Sequence, residues 1–295
     1  MKTAGIAGTM LTLCILSGCC ITIGCWDGAR EKSERTADLD HPMTPDMMFA
    51  TETVNGSITV RGEQTDQCRI HAVITGRAQT IEEAERIADE TKLEWKENGN
   101  TLTLFIQKPA FEKRNSLSVS LEITLPTRTA LALKSTNGKI TVSEIEKDVT
   151  ANTTNGKVEL HNIGGSAEAG STNGTIQADQ VTGNLNGRTT NGKIDAGGLR
   201  GNLDASTTNG SVDIRYEPSA PADRSIRIHT TNGSASVMLP ADFAGKAEAE
   251  TTNGKIYTDR PVTVTGRIDK HLSGTIGQGT GSLSIKTTNG SVHIR

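Results

Sequence analysis

The tripeptide Thr-Asn-Gly returns at Asn137, Asn155, Asn173, Asn191, Asn209, Asn232, Asn253 and Asn289, and the first five copies stand 18 residues apart each time. A fixed interval of this length marks a repeat architecture, in which each unit buries its apolar face only by stacking on its neighbours. Glycine also returns every nine residues from Gly156 to Gly210, so each unit holds two turns and two short extended segments. After each Asn-Gly comes an alternating pair: Val158 and Leu160, Ile176 and Ala178, Ile194 and Ala196, Val212 and Ile214. Before it stands a second alternating set, as in Val149-Ala151-Thr153 and Leu203-Ala205-Thr207, and period two means strand. Each coil is therefore expected to be two strands.

Asn-Gly between alternating runs is also a strong hairpin signal, so an antiparallel meander competes with a parallel solenoid. A meander must bury one face against a second layer, and no other segment is apolar enough to supply one. A solenoid covers itself, and its narrow interior suits small inward residues such as Ala151, Ala169, Ser171 and Thr189. The expected fold is mainly β: a parallel β-solenoid (single-stranded β-helix) of about 18-residue coils with a small N-terminal α/β capping segment. By parity the motif asparagines point inward and stack as a corner ladder. The glycines that follow them (Gly138, Gly156, Gly174, Gly192, Gly210, Gly233, Gly254 and Gly290) are expected to take the positive φ of the bend.

The stretch from Thr3 to Trp26 carries no charge and follows a single Lys2, as an export signal does. Within it, Leu16-Ser17-Gly18-Cys19 resembles the bacterial lipobox, which implies a signal peptide over 1–18 and lipid attachment at Cys19. An uncleaved membrane helix is the alternative, and either reading places the rest of the chain outside the cytoplasm. Residues 19–46, charged and carrying Pro42 and Pro45, read as a mobile tether. Cys68 alternates with Ile70, Ala72 and Ile74 on the buried face of a strand and is expected to be a packed thiol.

From 47 to 127 the pattern changes. Val54-Asn55-Gly56 is an isolated early copy of the corner, Thr80-x-x-Glu83 is a capping box opening a helix, and Leu93 to Ile106 reads as a hairpin turning at Asn98-Gly99. Leu117 to Leu125 then alternates up to Pro126, and the whole segment is expected to cap the repeat domain at 128–295. After Asn209 the spacing loosens to 23 and 21 residues, and Ser273-Gly274-Thr275-Ile276 reads as a degenerate coil before Asn289.

An early Asn-Gly strand pair, an acidic helix, a strand ending at Leu125-Pro126 and repeated Thr-x-Asn-Gly-x-Ile/Val together resemble the bacterial putative-adhesin family of β-strand repeat proteins, a domain of unknown function, over about residues 50 to 295. The resemblance implies a β-solenoid in the cell envelope with no assigned catalytic residues. The irregular last third departs from the family's regular period.

The net charge of -3 argues against nucleic acid as a partner, and aromatics at 3% leave few stacking platforms for sugars or bases. The six histidines show no metal-ligand spacing, so neither a metal nor a cofactor is expected. One outward column, Thr141, Glu159, Gln177, Asp195 and Asp213, is suggestive, because Asp195 and Asp213 on adjacent coils would approach the spacing of a retaining glycosidase pair. Lys157 and Lys193 alternate with these acids as on a solvated face. The expected function is a non-catalytic, adhesin-like binding or scaffolding module, lipid-anchored in the cell envelope, with an envelope or cell-surface protein or glycan as partner. The alternatives are an extracytoplasmic polysaccharide-acting enzyme and an envelope-stress module docking a partner protein.

Overall fold

The computed structural model describes residues 30–44, 46–264 and 270–295, and before Arg30 only the backbone of two short antiparallel segments, Cys14–Ile15 and Cys19–Cys20. The predicted signal peptide and the lipid site at Cys19 therefore lie outside the residues whose side chains are described.

The repeat closes as a parallel solenoid. Val149 pairs with Ala167, Ala167 with Leu185 and Leu185 with Leu203, each 18 residues on and all in parallel register. On the other side Ile140, Val158, Ile176, Ile194 and Val212 form the matching column. The strands before each Asn-Gly make one sheet, here the leading sheet, and those after it make the following sheet. The two face each other across a core of alternating side chains, in which Val158, Ile176 and Ile194 are fully buried. Each such aliphatic side chain contributes roughly 1.5–3 kcal/mol relative to an exposed one. No meander is compatible with parallel pairing at a shift of 18.

Spatial order departs from chain order at both ends. The coil formed by Met48–Asn55 and Ile58–Glu63 lies between the coil at 130–145 and one made by Thr101–Gln107 and Ser116–Pro126. At the far end the coil of Gly281–Asn289 and Val292–Ile294 is inserted between Ser225–Met238 and Gly245–Thr258. The expected degenerate coil is not one: His271–Ile276 pairs antiparallel with Gly245–Thr251 and closes that end with Thr263–Val264. Parallel stacking stops wherever a strand arrives in the opposite direction, because the corner then has no equivalent to stack upon.

The first end is closed in the same manner. Lys92–Asn98 runs antiparallel to Thr101–Gln107, and Gln67–Ala78 runs antiparallel to Ser116–Pro126. The helix Ile81–Glu90 begins at Thr80, whose hydroxyl accepts from the Glu83 amide as the capping box predicts, and it buries Ala84, Ile87 and Ala88. The tether expected over 19–46 is corrected over 31–42, since Glu31–Pro42 is a 12-residue strand paired throughout with Gln67–Ala78. It is an edge strand whose inner face is mixed, with Ala37 and Leu39 packed against the core and Ser33 and Arg35 beside them. Arg35 sends its guanidinium to the carbonyls of Ala88 and Thr91 (3.2 and 2.6 Å), where a cation meets the negative end of the helix. Cys68 is fully buried as expected, and burial pushes its thiol up to about 12.

Candidate binding surfaces

The corners carry the ladder that the repeat predicts. Asn137 donates its side-chain amide to the Asn55 amide oxygen at 2.8 Å, Asn155 to Asn137 at 2.7 Å, Asn173 to Asn155, Asn191 to Asn173 and Asn209 to Asn191. The series continues from Asn232 to Asn209, Asn289 to Asn232 and Asn253 to Asn289, so it also records the inserted last coil. All donors point the same way, and at the first rung Asn55 donates to the Leu117 carbonyl at 2.9 Å.

Two details of the expectation are corrected. The ladder asparagines are exposed along the outside of the corner, because the chain leaves the pleat at that residue and strand parity no longer applies. What points inward is the hydroxyl two places earlier: Thr153, Ser171, Thr189 and Thr207 are buried and donate to the carbonyls of Gly138, Gly156, Gly174 and Gly192 at 2.9–3.0 Å. The corner glycines from Gly138 to Gly290 do not have positive φ; of the glycines in Asn-Gly corners only Gly56 does, at 125°. They are glycine because of close approach. A Cβ on Gly138, Gly156, Gly174, Gly192, Gly210, Gly233, Gly254 or Gly290 would stand 1.8–2.0 Å from the carbonyl oxygen of the stacked glycine beside it. The left-handed column lies at the opposite corner, at Glu144, Asn162, Gln180 and Gly198 (φ 56–64°).

The acidic column is a set of ion pairs. Asp195 and Asp213 are neighbours in register, Lys193 reaches them at 2.7 and 3.7 Å, and Arg215 reaches them at 2.6 and 3.4 Å. Burial raises the Asp195 pKa, but the hydrogen bonds from Lys193 and Arg215 outweigh it and hold the carboxyl below its ordinary value. Glu159 is held low in the same way by Lys139 and Lys157 (2.6 and 2.7 Å). A glycosidase pair needs one carboxyl kept protonated, and the surroundings of Asp195 do the reverse. Among the described residues no group of three or more His, Cys, Asp or Glu side chains is placed to hold a metal ion.

A concavity among the described residues was not foreseen. Thr101–Gln107 pairs with Met48–Asn55 only as far as Thr51↔Leu104 and then turns away. Past that point a groove of about 780 Å³ opens between the end of the leading sheet and Ser116–Pro126, a volume within the range of ligand sites. Val54, Ile106, Phe111, Leu117 and Ala132 line it, together with Phe105, and both Val54 and Phe105 remain 48% exposed. The wall at 108–115 is held in place by the helix: Arg86 donates to the Ala110 carbonyl at 3.1 Å and pairs with Glu83, which accepts from Asn115. Pro109 marks only the end of the strand at Gln107; the divergence from Met48–Asn55 begins earlier, at Leu104, where no local pattern announces it.

Among solved structures, a putative lipid binding protein from Parabacteroides distasonis ATCC 8503 is 12% identical with a TM-score of 0.46, covering 88% of this chain and 96% of that one. A putative adhesin from Bacteroides fragilis NCTC 9343 is 14% identical at a TM-score of 0.36, covering 88% and 97%. A putative cell adhesion protein from Clostridium sporogenes ATCC 15579 is 11% identical at 0.33, covering 88% and 99%. No curated protein matches the chain. The sequence profile of the Toastrack DUF4097 family matches residues 48–295, from the first strand of the Asn55 corner to the last coil, and the chain belongs to that family.

Proposed function

We propose that the protein is a non-catalytic, adhesin-like binding or scaffolding module, held on the cell envelope through a lipid on Cys19. The observation that carries the binding role is the preformed apolar groove, on a molecule whose acidic column at Asp195 is already paired with Lys193 and Arg215. The ion pairing of Asp195 and Asp213 with Lys193 and Arg215 supports a role without catalysis, since Asp195 is held below its ordinary value where a general acid needs the opposite. The Leu16-Ser17-Gly18-Cys19 sequence supports the anchor and, with it, an extracytoplasmic location.

Cys19→Ala tests the anchor: the variant is expected to accumulate as an uncleaved precursor that takes up no labelled fatty acid. Processing and acylation that persist would end the Cys19 assignment and make Cys25, behind the poorer Ile23-Gly24 context, the candidate. The double change Asp195→Asn with Asp213→Asn tests catalysis, because it should leave any envelope phenotype of the protein intact. A glycan-cleaving activity abolished by that pair would put the enzyme reading first.

A further inference from the structure

We infer that the groove beside Val54 takes an extended peptide carrying acidic residues, added as a strand along the open edge Glu52–Val54. The inference rests on the binding reading above and names its partner chemistry. Met48 donates its backbone N–H to the Asn100 carbonyl at 2.8 Å, which fixes the side of the strand that faces Thr101–Gln107. Backbone groups alternate along a strand, so those of Glu52 and Val54 face the same way. Registered pairing on that side ends at Thr51↔Leu104, whereas on the other side it runs on to Asn55↔Asn137. In that register the Glu52 N–H still meets the Leu104 carbonyl, so the open groups are the Glu52 carbonyl and the N–H and carbonyl of Val54, a short edge with a groove where its neighbour would be, and strand addition is the recognition mode that such an edge supports. Every second side chain of an added strand would enter the apolar space near Phe105 and Leu117.

Charge selects among extended peptides. Of the segment 108–115, Lys108, Phe111 and Asn115 line the groove, so its cation on that side is Lys108, with the exposed Lys113 and Arg114 on the same segment outside the lining. Lys108 lines the groove itself, while the nearby Lys134 is engaged by Glu52 at 3.2 Å. Acidic side chains or a free carboxylate at one end of the peptide complement this wall. An acyl chain would fill the apolar space but has no backbone to satisfy the edge, and that difference decides the test.

The test uses the full chain in detergent and a display library of octapeptides, selected in parallel against Phe105→Asp. Enrichment of alternating apolar sequences with acidic ends is expected on the wild-type chain alone. The enriched peptide is then made synthetically and N-methylated one position at a time. Loss of one backbone hydrogen bond weakens binding about tenfold, so weakening should recur at every second residue, and Lys108→Glu should weaken binding in a way that exchanging the peptide's acids for lysines restores. Because Phe105 is half exposed, Phe105→Asp leaves the fold standing, and the N-methyl series needs no variant at all. A flat N-methyl series, no enrichment over Phe105→Asp, or saturable binding of fluorescent dodecanoate with none of any peptide would overturn the inference. Those failures would leave the Cys19 anchor and the Asp195–Asp213 test untouched, so the two readings fail separately.

Discussion

Gly174 and Gly187 lie 13 residues apart in the same regular part of the array, and replacing each with alanine should have opposite effects. At Gly174 the new Cβ would stand 1.8 Å from the Gly156 carbonyl oxygen, 2.6 Å from its carbon and 2.8 Å from the Ser171 hydroxyl. Two of these three atoms are backbone, fixed by parallel pairing on both sides, so the coil spacing itself must give. Overpacking of this kind costs about 1–3 kcal/mol. The Ser171 hydroxyl also donates to that same oxygen at 3.0 Å, and losing the bond adds about 0.5–1.5 kcal/mol. Gly174→Ala should therefore destabilise by about 2–4 kcal/mol. At Gly187 a Cβ would meet only the Ile194 side chain, at 3.6 and 3.9 Å, which is ordinary contact. With no strain to offset it, Gly187→Ala should stabilise by about 0.4–1 kcal/mol through the reduced freedom of the unfolded chain. Guanidinium melts followed by circular dichroism measure both. Equal losses, or a Gly174→Ala midpoint at or above wild type, would refute the close-approach account of the corner glycines.

Three further outcomes follow from the same geometry. Asn173→Ala breaks one donated and one accepted amide bond at an exposed corner, so about 1–2 kcal/mol is expected, and combining it with Asn191→Ala should cost less than the sum because the two share a bond. Asp195 has a folded pKa below its unfolded value, so its contribution is present above the ordinary aspartate range near 4 and is lost as pH falls through the lower folded value; Asp195→Asn should flatten the acid limb of a stability-versus-pH curve and leave its neutral part parallel. The Cys68 thiol, raised to about 12 by burial, should resist alkylation at pH 8 in the folded chain and be labelled in denaturant, as peptide mapping by mass would show; labelling of the native chain would contradict its burial.

The coil was legible because one inward column repeats: Val149, Ala167, Leu185 and Leu203 are small or aliphatic at a constant shift, and only stacking buries them all. The asparagine ladder was legible for the same reason. Its orientation was not, since parity holds only while the backbone stays pleated, and at Asn155 or Asn173 the strand has ended. Glycine is ambiguous in a sequence, serving positive φ and close approach alike, and here the left-handed positions fell to Glu144, Asn162 and Gln180 instead. Glu31–Pro42 looked like a tether because its inward Arg35 answers helix carbonyls, a partner that no local pattern announces. The groove was hidden for a related reason. It is made by the divergence of two segments, Phe105 onward and Glu52 onward, far apart in sequence.

The place of the last coil bears on how the chain is built. A ribosome releases 225–260 before 281–294, yet in the finished protein the later segment lies between the two halves of the earlier one. The Thr-Asn-Gly corners at Asn232 and Asn253 are alike enough to stack on one another in the meantime, so the emerging array can close one coil short, and the final segment must displace that pairing to take its place. Adjacent coils stand about 4.8 Å apart and alternate ones about twice that, so a disulfide fits only between neighbours. Cysteines introduced by Asn232→Cys and Asn253→Cys should therefore cross-link in a chain released at Arg260 and stay apart in the full one. No cross-link in the shortened chain would mean that the gap is held open, waiting for a strand not yet made.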